Sequence, residues 1–346
     1  MMLAESLKKL GAKVISLDPN SECSITHVCD SFICAPYDDL DALERLCASC
    51  DVVTYEFENI KGSDLKLLNE KYNIKQGIKS LVDSQDRLVE KDNANKHGLK
   101  TVKYFKCNTE EDLDNAIDSL GLPCVYKTRR EGYDGHGQVV IRTIEDKEKV
   151  KPYLGLDGIV EEYLKFDYEA SVIMIGEGNK IVALPVGHNI HKDGILDICE
   201  VPFNIPNEMA EAMKEKSIEF MKNAGYKGIL CIEYFIKDNE FYFNEMAPRP
   251  HNSGHYSIEA LNYSQYDLFA RYLLDLDYEE PKIMHKAIMK NILGVDLKNV
   301  DYYLKCPNSY LHMYYKKDAK PQRKMGHITF LDMTLDEFLQ IEKGLE

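Results

Sequence analysis

Apolar positions recur along this chain in two rhythms. Leu3, Leu7 and Leu10 fall three and four apart, the spacing of one helical face, and Gly11 follows as a C-cap. Residues 12–18 and 31–34 predict strands, 40–50 a helix and 51–58 a third strand. This alternation through residue 80 predicts an α/β unit with a parallel, Rossmann-like sheet. Such a sheet normally opens on a strand and a glycine turn. This chain opens on a helix, so the first strand is expected to be lacking. Residues 83–97 then predict a capped helix closed by Gly98. Beyond it the rhythm changes to a small α+β unit at about 100–155, with strands at 102–107, 123–127 and 139–143 and a helix at 110–120. Further strands are expected at 158–163, 169–176, 180–187, 229–236 and 240–245, and helices at 207–224 and 257–275. The segment 285–346 predicts more strands and a short last helix. The expected domains are 1–80, 81–280 with the small unit as a lid, and 281–346.

Composition narrows the classes. The 346 residues carry 43 Lys+Arg against 58 Asp+Glu, a formal charge of -15. That excludes a general nucleic-acid surface, which rests on basic charge, and leaves room for a local phosphate pocket. No apolar run approaches the ~20 residues that span a bilayer, so no membrane partner is expected. The N-terminus lacks the apolar core of a signal peptide. The ten cysteines sit mostly in apolar stretches, as small hydrophobes do. Cys47 and Cys50 form a C-x-x-C at a helix end, not at the helix start that a redox site uses. A reducing cytoplasm is the expected compartment.

Four constellations could carry chemistry. The first is the turn Gly132, Tyr133, Asp134, Gly135, His136, Gly137 and Gln138, between two strands. Its backbone N–H groups could cover phosphates, with Lys127 on the preceding strand supplying a point charge. It is neither a Walker A loop nor a dinucleotide fingerprint, and a plain surface hairpin is the alternative. The second pairs Glu233 and Glu245 on adjacent strands, joined by a four-residue hairpin. Two such acids repel unless a cation separates them, and Mg²⁺ with Asn244 as a neutral ligand suits them. Two exposed strand acids are the alternative. The third is the loop 248–256, PRPHNSGHY, whose prolines forbid a helix and so exclude a helical zinc motif. Its Arg249 and His255 suit an anionic or polyhydroxyl ligand. The fourth gathers polar outliers. The polar loop 188–194 carries His191. Glu56 and Glu58 fall on one strand face. Lys316, Arg323 and their neighbours form a basic run in an acidic protein.

Taken together these residues resemble an ATP-grasp enzyme, and more narrowly the 5-(carboxyamino)imidazole ribonucleotide synthases of purine biosynthesis. The segments that carry the resemblance are TYEFEN (54–59), SQDRL (84–88), YKTRREGYDGHGQ (126–138), VEEYLKFDYEASV (160–172), HNIHKDGIL (188–196), NEMAPRPHNSGHYSIEA (244–260), MKNILG (289–294) and RKMGHIT (323–329). They run in the family's order through nearly the whole chain. PRPHNSGHY with RKMGH is the specific pair. The resemblance implies an ATP-grasp fold behind the Rossmann-like domain. It implies ATP and Mg²⁺ as cofactors, and 5-aminoimidazole ribonucleotide and bicarbonate as substrates. Carboxylation would proceed through carboxyphosphate, in a homodimer coupled to the mutase that uses the product. It places Arg87, Lys127, the 132–138 loop, Glu161, Glu162, Tyr163, Leu164, Glu169, His191, Asn244 and Glu245 at ATP. It places Glu233, Glu245 and Asn244 at the metal. Glu56, Tyr133, His136, His255, Lys316 and Arg323 would meet the ribonucleotide. Lys127, Tyr133, His136, Arg249 and His255 would stand at the chemistry.

Two departures stand out. His136 replaces the Arg or Lys usual in the family's loop, so activity is expected to rise as pH falls through the imidazole range. The family's opening strand and Gly-Gly-Gly-Gln-Leu-Gly turn are also missing, which suggests a start codon assigned too late. Two other readings remain open. One is a different ATP-grasp carboxylase or ligase. The other is a nucleotide-binding protein with impaired turnover. A nicotinamide oxidoreductase is excluded, because no G-x-G-x-x-G precedes Asp18.

Overall fold

The structure, a computed structural model, describes residues 1–130 and 137–345. Its strands in chain order are β1 Ile15–Asp18, β2 Ser31–Cys34, β3 Tyr104–Cys107, β4 Cys124–Thr128, β5 Gln138–Ile141, β6 Gly158–Glu162, β7 Tyr168–Glu177, β8 Lys180–Ala183, β9 Gly187–Lys192, β10 Ile195–Val201, β11 Gly228–Lys237, β12 Glu240–Ala247, β13 Ala287–Leu293, β14 Ser309–Met313 and β15 Lys324–Leu331. Among the described residues they form three sheets. β1 and β2 pair in parallel, β3-β6-β4-β5 make a small antiparallel sheet, and a nine-stranded sheet runs β12-β11-β7-β9-β10-β13-β15-β14 with β8 beside β7.

The large sheet is buried on both faces, and β7 shows how. Val172 and Met174 enter one apolar layer, while Ile173 and Ile175 enter the other. The helix Asn207–Asn223 closes the first layer through Met213 and Phe220. The helix Gln265–Leu273 closes the second through Leu268 and Phe269. Each such side chain contributes roughly 1.5–3 kcal/mol by leaving water. The opening helix Met2–Lys9 joins the second layer through Leu3, and Ser6 hydrogen-bonds Asp267 at 2.7 Å. β10 pairs with β13, so the C-terminal strands continue the central sheet.

Several elements differ from the sequence expectation. Residues 51–58 form no strand beyond a bridge from Val53 to Ile74. The segment is held instead by side chains. Tyr55 donates to the Gly77 carbonyl at 2.7 Å, and Gln85 Nε2 donates to the carbonyls of Glu58 and Ile60 at 2.8 Å. Glu56 and Glu58 therefore share no strand face. The expected helix 83–97 is two helices, Ile78–Ser84 and Arg87–Lys96, because Asp86 leaves the helical conformation to cap Leu88 and Val89. The expected strand 180–187 stops at Ala183, shortly before Pro185. The expected polar loop 188–194 is strand β9, turned into β10 by Asp193 and Gly194 at φ 53° and 78°. That Asp-Gly pair is a hairpin signal. The expected helix 257–275 breaks at an extended Leu261 and restarts under a Ser264 capping box.

Candidate active site

The hairpin β11–β12 turns at Asp238 and Asn239, both at positive φ. From Lys237 opposite Glu240 the register runs regularly to Tyr234 opposite Phe243. The next pair is Glu233 opposite Glu245, so Asn244 is an extra residue in a β-bulge. Without the bulge, Phe243 and Glu245 would share a face. With it, Phe243 is 1% exposed in the apolar layer and Glu245 stands against Glu233 on the other face.

The two acids have different partners. His251 Nε2 lies 3.0 Å from Glu233 Oε1, and Arg87 donates to Glu245 Oε2 at 3.1 Å. Burial pushes the Glu233 carboxyl up. His251 first, then His191 and Arg249, overcome that and hold it down at about 2. Glu169 and His191 form an ion pair on β7 and β9, and His191 lies within electrostatic reach of Glu233 and Glu245. Burial lowers the His191 imidazole, but Glu169 raises it above its ordinary value. Glu162, the last residue of β6, and Tyr163 after it are both exposed.

Lys127 on β4 points at β6, where its Nζ lies 2.8 Å from Glu161 Oε2. Lys91, one turn after Arg87 on its helix, takes the other carboxylate oxygen at 3.1 Å. Burial opposes ionisation of Glu161, yet Lys127 and Lys91 hold its carboxyl at about 2. Glu90 accepts from the Met246 N–H at 2.6 Å, and burial with Glu245 nearby pushes its carboxyl up to about 8. Asp86 accepts from Arg129 Nε and Nη2 at 2.9 and 2.7 Å, and from Arg130 at 3.2 and 3.3 Å. These contacts join the small sheet to the body. Gly137, at φ 76°, would drive a Cβ to 2.4 Å from Thr128 Oγ1, so no side chain fits there. The expectations for Gly132, Tyr133, Asp134, Gly135 and His136 lie outside the described residues.

A second cluster joins the 248–256 loop to the C-terminal strands. Arg249 grips both oxygens of Glu58, at 2.9 and 3.1 Å. His255 bonds Tyr266 at 2.8 Å and stacks on His327 at 4.5 Å. His327 bonds Tyr314 at 2.7 Å and stacks in turn on His312, which bonds Glu259 at 2.6 Å. Burial, then the neighbouring cations, lowers His255 to about 3, and burial pushes His327 well below its ordinary value. Lys316 donates to the Lys324 carbonyl at 2.8 Å, and burial with Arg323 nearby lowers its amine to about 8. Lys316 and Arg323 line a cleft of about 260 Å³ against Asp18, Asn20, Glu22 and Cys23 of the first domain. Glu56 is exposed, within electrostatic reach of Tyr266.

Sequence reasoning missed Asp86, Glu90, Lys91, Arg129 and Arg130, and gave no role to His251 or His327. The only hint was spacing: Arg87 and Lys91, four apart, share a helix face.

The acid pair fits Mg²⁺ on one structural ground. Asn244 Oδ1, on the bulge residue next to Glu245 in the chain, is a neutral oxygen buried without a hydrogen-bond partner. Among the described residues no three His, Cys, Asp or Glu side chains gather as a metal cluster. An ion here would therefore complete its shell with water and phosphate oxygens, as Mg²⁺ does.

The fold and this acid-and-lysine cleft define the ATP-grasp class. A family model for the ATP-grasp domain matches residues 92–266. A ribonucleotide synthetase preATP-grasp model matches 1–85, and a phosphoribosylaminoimidazole carboxylase C-terminal model matches 287–341. The N5-carboxyaminoimidazole ribonucleotide synthase of Staphylococcus aureus (strain MRSA252) is 42% identical over 335 residues, covering 95% of this chain and 89% of that protein. That of Staphylococcus saprophyticus is 38% identical over 341 residues, covering 97% and 91%. The chain belongs to the N5-carboxyaminoimidazole ribonucleotide synthase family. The solved Staphylococcus aureus N5-carboxyaminoimidazole synthetase with ADP superposes at a TM-score of 0.94 with 40% identity, covering 99% of this chain and 93% of that one. An Aspergillus clavatus synthase in complex with ADP and 5-aminoimidazole ribonucleotide superposes at 0.89 with 26% identity, covering 99% and 94%. The expected ATP-grasp fold behind a Rossmann-like domain is borne out. No helix among the described residues is long and apolar enough to cross a membrane.

Proposed function

We propose that this chain carboxylates 5-aminoimidazole ribonucleotide with bicarbonate in purine biosynthesis, splitting ATP to ADP and phosphate through carboxyphosphate. In a chain of this family, one observation carries the reading. Glu233 and Glu245 stand opposite each other, with Arg87 bonded to Glu245 and His251 beside Glu233. Carboxyphosphate hydrolyses readily, so the site must neutralise phosphate charge and exclude water together.

Lys127 and Arg87 are assigned to the transferring phosphoryl group, where fixed cations offset growing charge. Mg²⁺ bound by Glu233, Glu245 and Asn244 would supply further neutralisation of the triphosphate. Glu161, Glu162, Tyr163 and Leu164 are assigned to the nucleoside side, with Glu169 and His191 beside it. The 132–138 loop is assigned to cover the phosphates. Lys316 and Arg323 would hold the ribonucleotide phosphate, aided by Glu56 and His255. Arg249, fixed in plane by Glu58, would present its remaining N–H groups to a small anion. His255, held neutral with Nδ1 bonded to Tyr266, would offer its remaining ring nitrogen near the amine that takes the carboxyl group. Tyr133 and His136 complete the proposed set. A cytoplasmic homodimer, coupled to the mutase that consumes the product, belongs to the same proposal.

A coupled assay of ADP release tests it. Release is expected only when the ribonucleotide, bicarbonate and Mg²⁺ are all present. ATP binding without ribonucleotide-dependent ADP release would overturn the reading in favour of a nucleotide-binding protein.

A further inference from the structure

Lys91 is 1% exposed at its side chain, and nothing in the reaction above uses it. Its ammonium has two fixed partners. Glu161 Oε1 lies at 3.1 Å, and the Asn244 carbonyl accepts at 3.2 Å. One contact reaches the small sheet and the other the bulge that carries the acid pair. Lys127 holds the second oxygen of Glu161 at 2.8 Å. The Glu161 carboxylate is 4% exposed.

These three groups sum to one positive charge. Lys127 must leave Glu161, at least in part, to meet a phosphate. If it were the sole partner, that move would strand a buried carboxylate, which is strongly unfavourable. Lys91 removes the difficulty. It stays tied to Asn244 and keeps Glu161 paired while Lys127 turns away. We propose that Lys91 is a positioning residue, the resident counter-ion of Glu161 that frees Lys127 for the nucleotide phosphates. The inference rests on the ATP-binding reading above.

Equilibrium titration of ATP and of adenosine, with Mg²⁺ and the full chain, tests it without turnover. Lys91→Met is expected to weaken ATP by about tenfold or more, because ATP must then strand Glu161. Lys91→Arg keeps the charge and is expected to bind within a few-fold of the parent. Adenosine carries no phosphate and is expected to bind parent and variants alike, whereas a merely structural defect would weaken both ligands. The second arm puts Lys91→Met into a Glu161→Gln background. There the carboxylate is gone, and the substitution is expected to change ATP affinity by less than about twofold. That arm also stands if Lys91→Met alone does not fold. ATP binding by Lys91→Met equal to the parent, or an undiminished loss in the Glu161→Gln background, would overturn the proposal. So would a parent chain that binds no ATP. A parent that binds ATP yet fails the carboxylation assay would sink only the functional reading.

Discussion

The two halves of the site are built on opposite electrostatic plans. The nucleotide half is a lattice of opposite charges in which Arg87, Lys91, Lys127, Arg129 and Arg130 meet Glu245, Glu161 and Asp86. The half joined to the C-terminal strands stacks His255, His327 and His312, and the two most buried of these rings are held neutral by burial. The difference follows from what each half is proposed to receive. A triphosphate brings several negative charges, so cations must wait there, and waiting cations need carboxylates. A sugar–base with a neutral amine needs directional hydrogen bonds, and a charged imidazole would offer donors only.

The sharpest way to break the comparison is to remove charge from the first half. Lys127→Met should lower kcat/KM for ATP by about a thousandfold, ~4 kcal/mol, read as steady-state ADP release. A loss of only a few-fold would mean that the lysine serves Glu161 rather than phosphate. Asp86→Ala should cost about 3 kcal/mol of stability in denaturant titration, since it leaves two arginines without their buried acid and removes a helix cap. An unchanged midpoint would show that the Asp86 contacts do not hold the small sheet to the body.

Acid should dissect the halves in sequence. An unfolded imidazole titrates near ~6.5, whereas folded His255 does so at about 3 and His327 also far below its ordinary value. Between those limits the unfolded chain binds protons that the folded chain refuses, so stability falls as pH drops below ~6.5. Glu161 and Glu233 behave differently. Their carboxyls are held at about 2, so their contribution is lost only as pH falls from about 4.5 towards that value. Denaturant titrations at pH 7, 6 and 5 should show the histidine half failing first. His327→Phe should remove about 1.4 kcal/mol per pH unit from the slope at pH 5–6. An unaltered slope would mean that His327 is protonated in the fold. The smallest expected effect is Arg249→Lys. Losing the two-point grip on Glu58 should reduce kcat/KM by about fivefold, near 1 kcal/mol, with stability little changed.

The same contrast explains what could be read from the chain. The helix Glu110–Leu120 and strand β2 were legible because each carries its own period and boundaries. The Glu233–Glu245 pairing was legible because a short hairpin leaves few registers. Strand β9 was hidden because its polar residues mimic a loop, although Asp193-Gly194 signalled its turn. The charged lattice was hidden for another reason. In DRLVEK a buried ion network and a solvated helix face look identical, and only tertiary pairing separates them. The histidine stack needed two motifs, some seventy residues apart, to meet across the large sheet.

The bulge at Asn244 shows that what matters in this strand is partly a count. Phe243 must enter one layer and Glu245 the opposite one, and a single additional residue reconciles them. Deleting Asn244 would leave every acid, lysine and arginine of the cleft in the sequence, yet it would turn one end of the strand over. A survey of substitutions alone would miss that dependence, because it resides in spacing. For this strand, a one-codon deletion is the more severe genetic change, and length is as much a specification as composition.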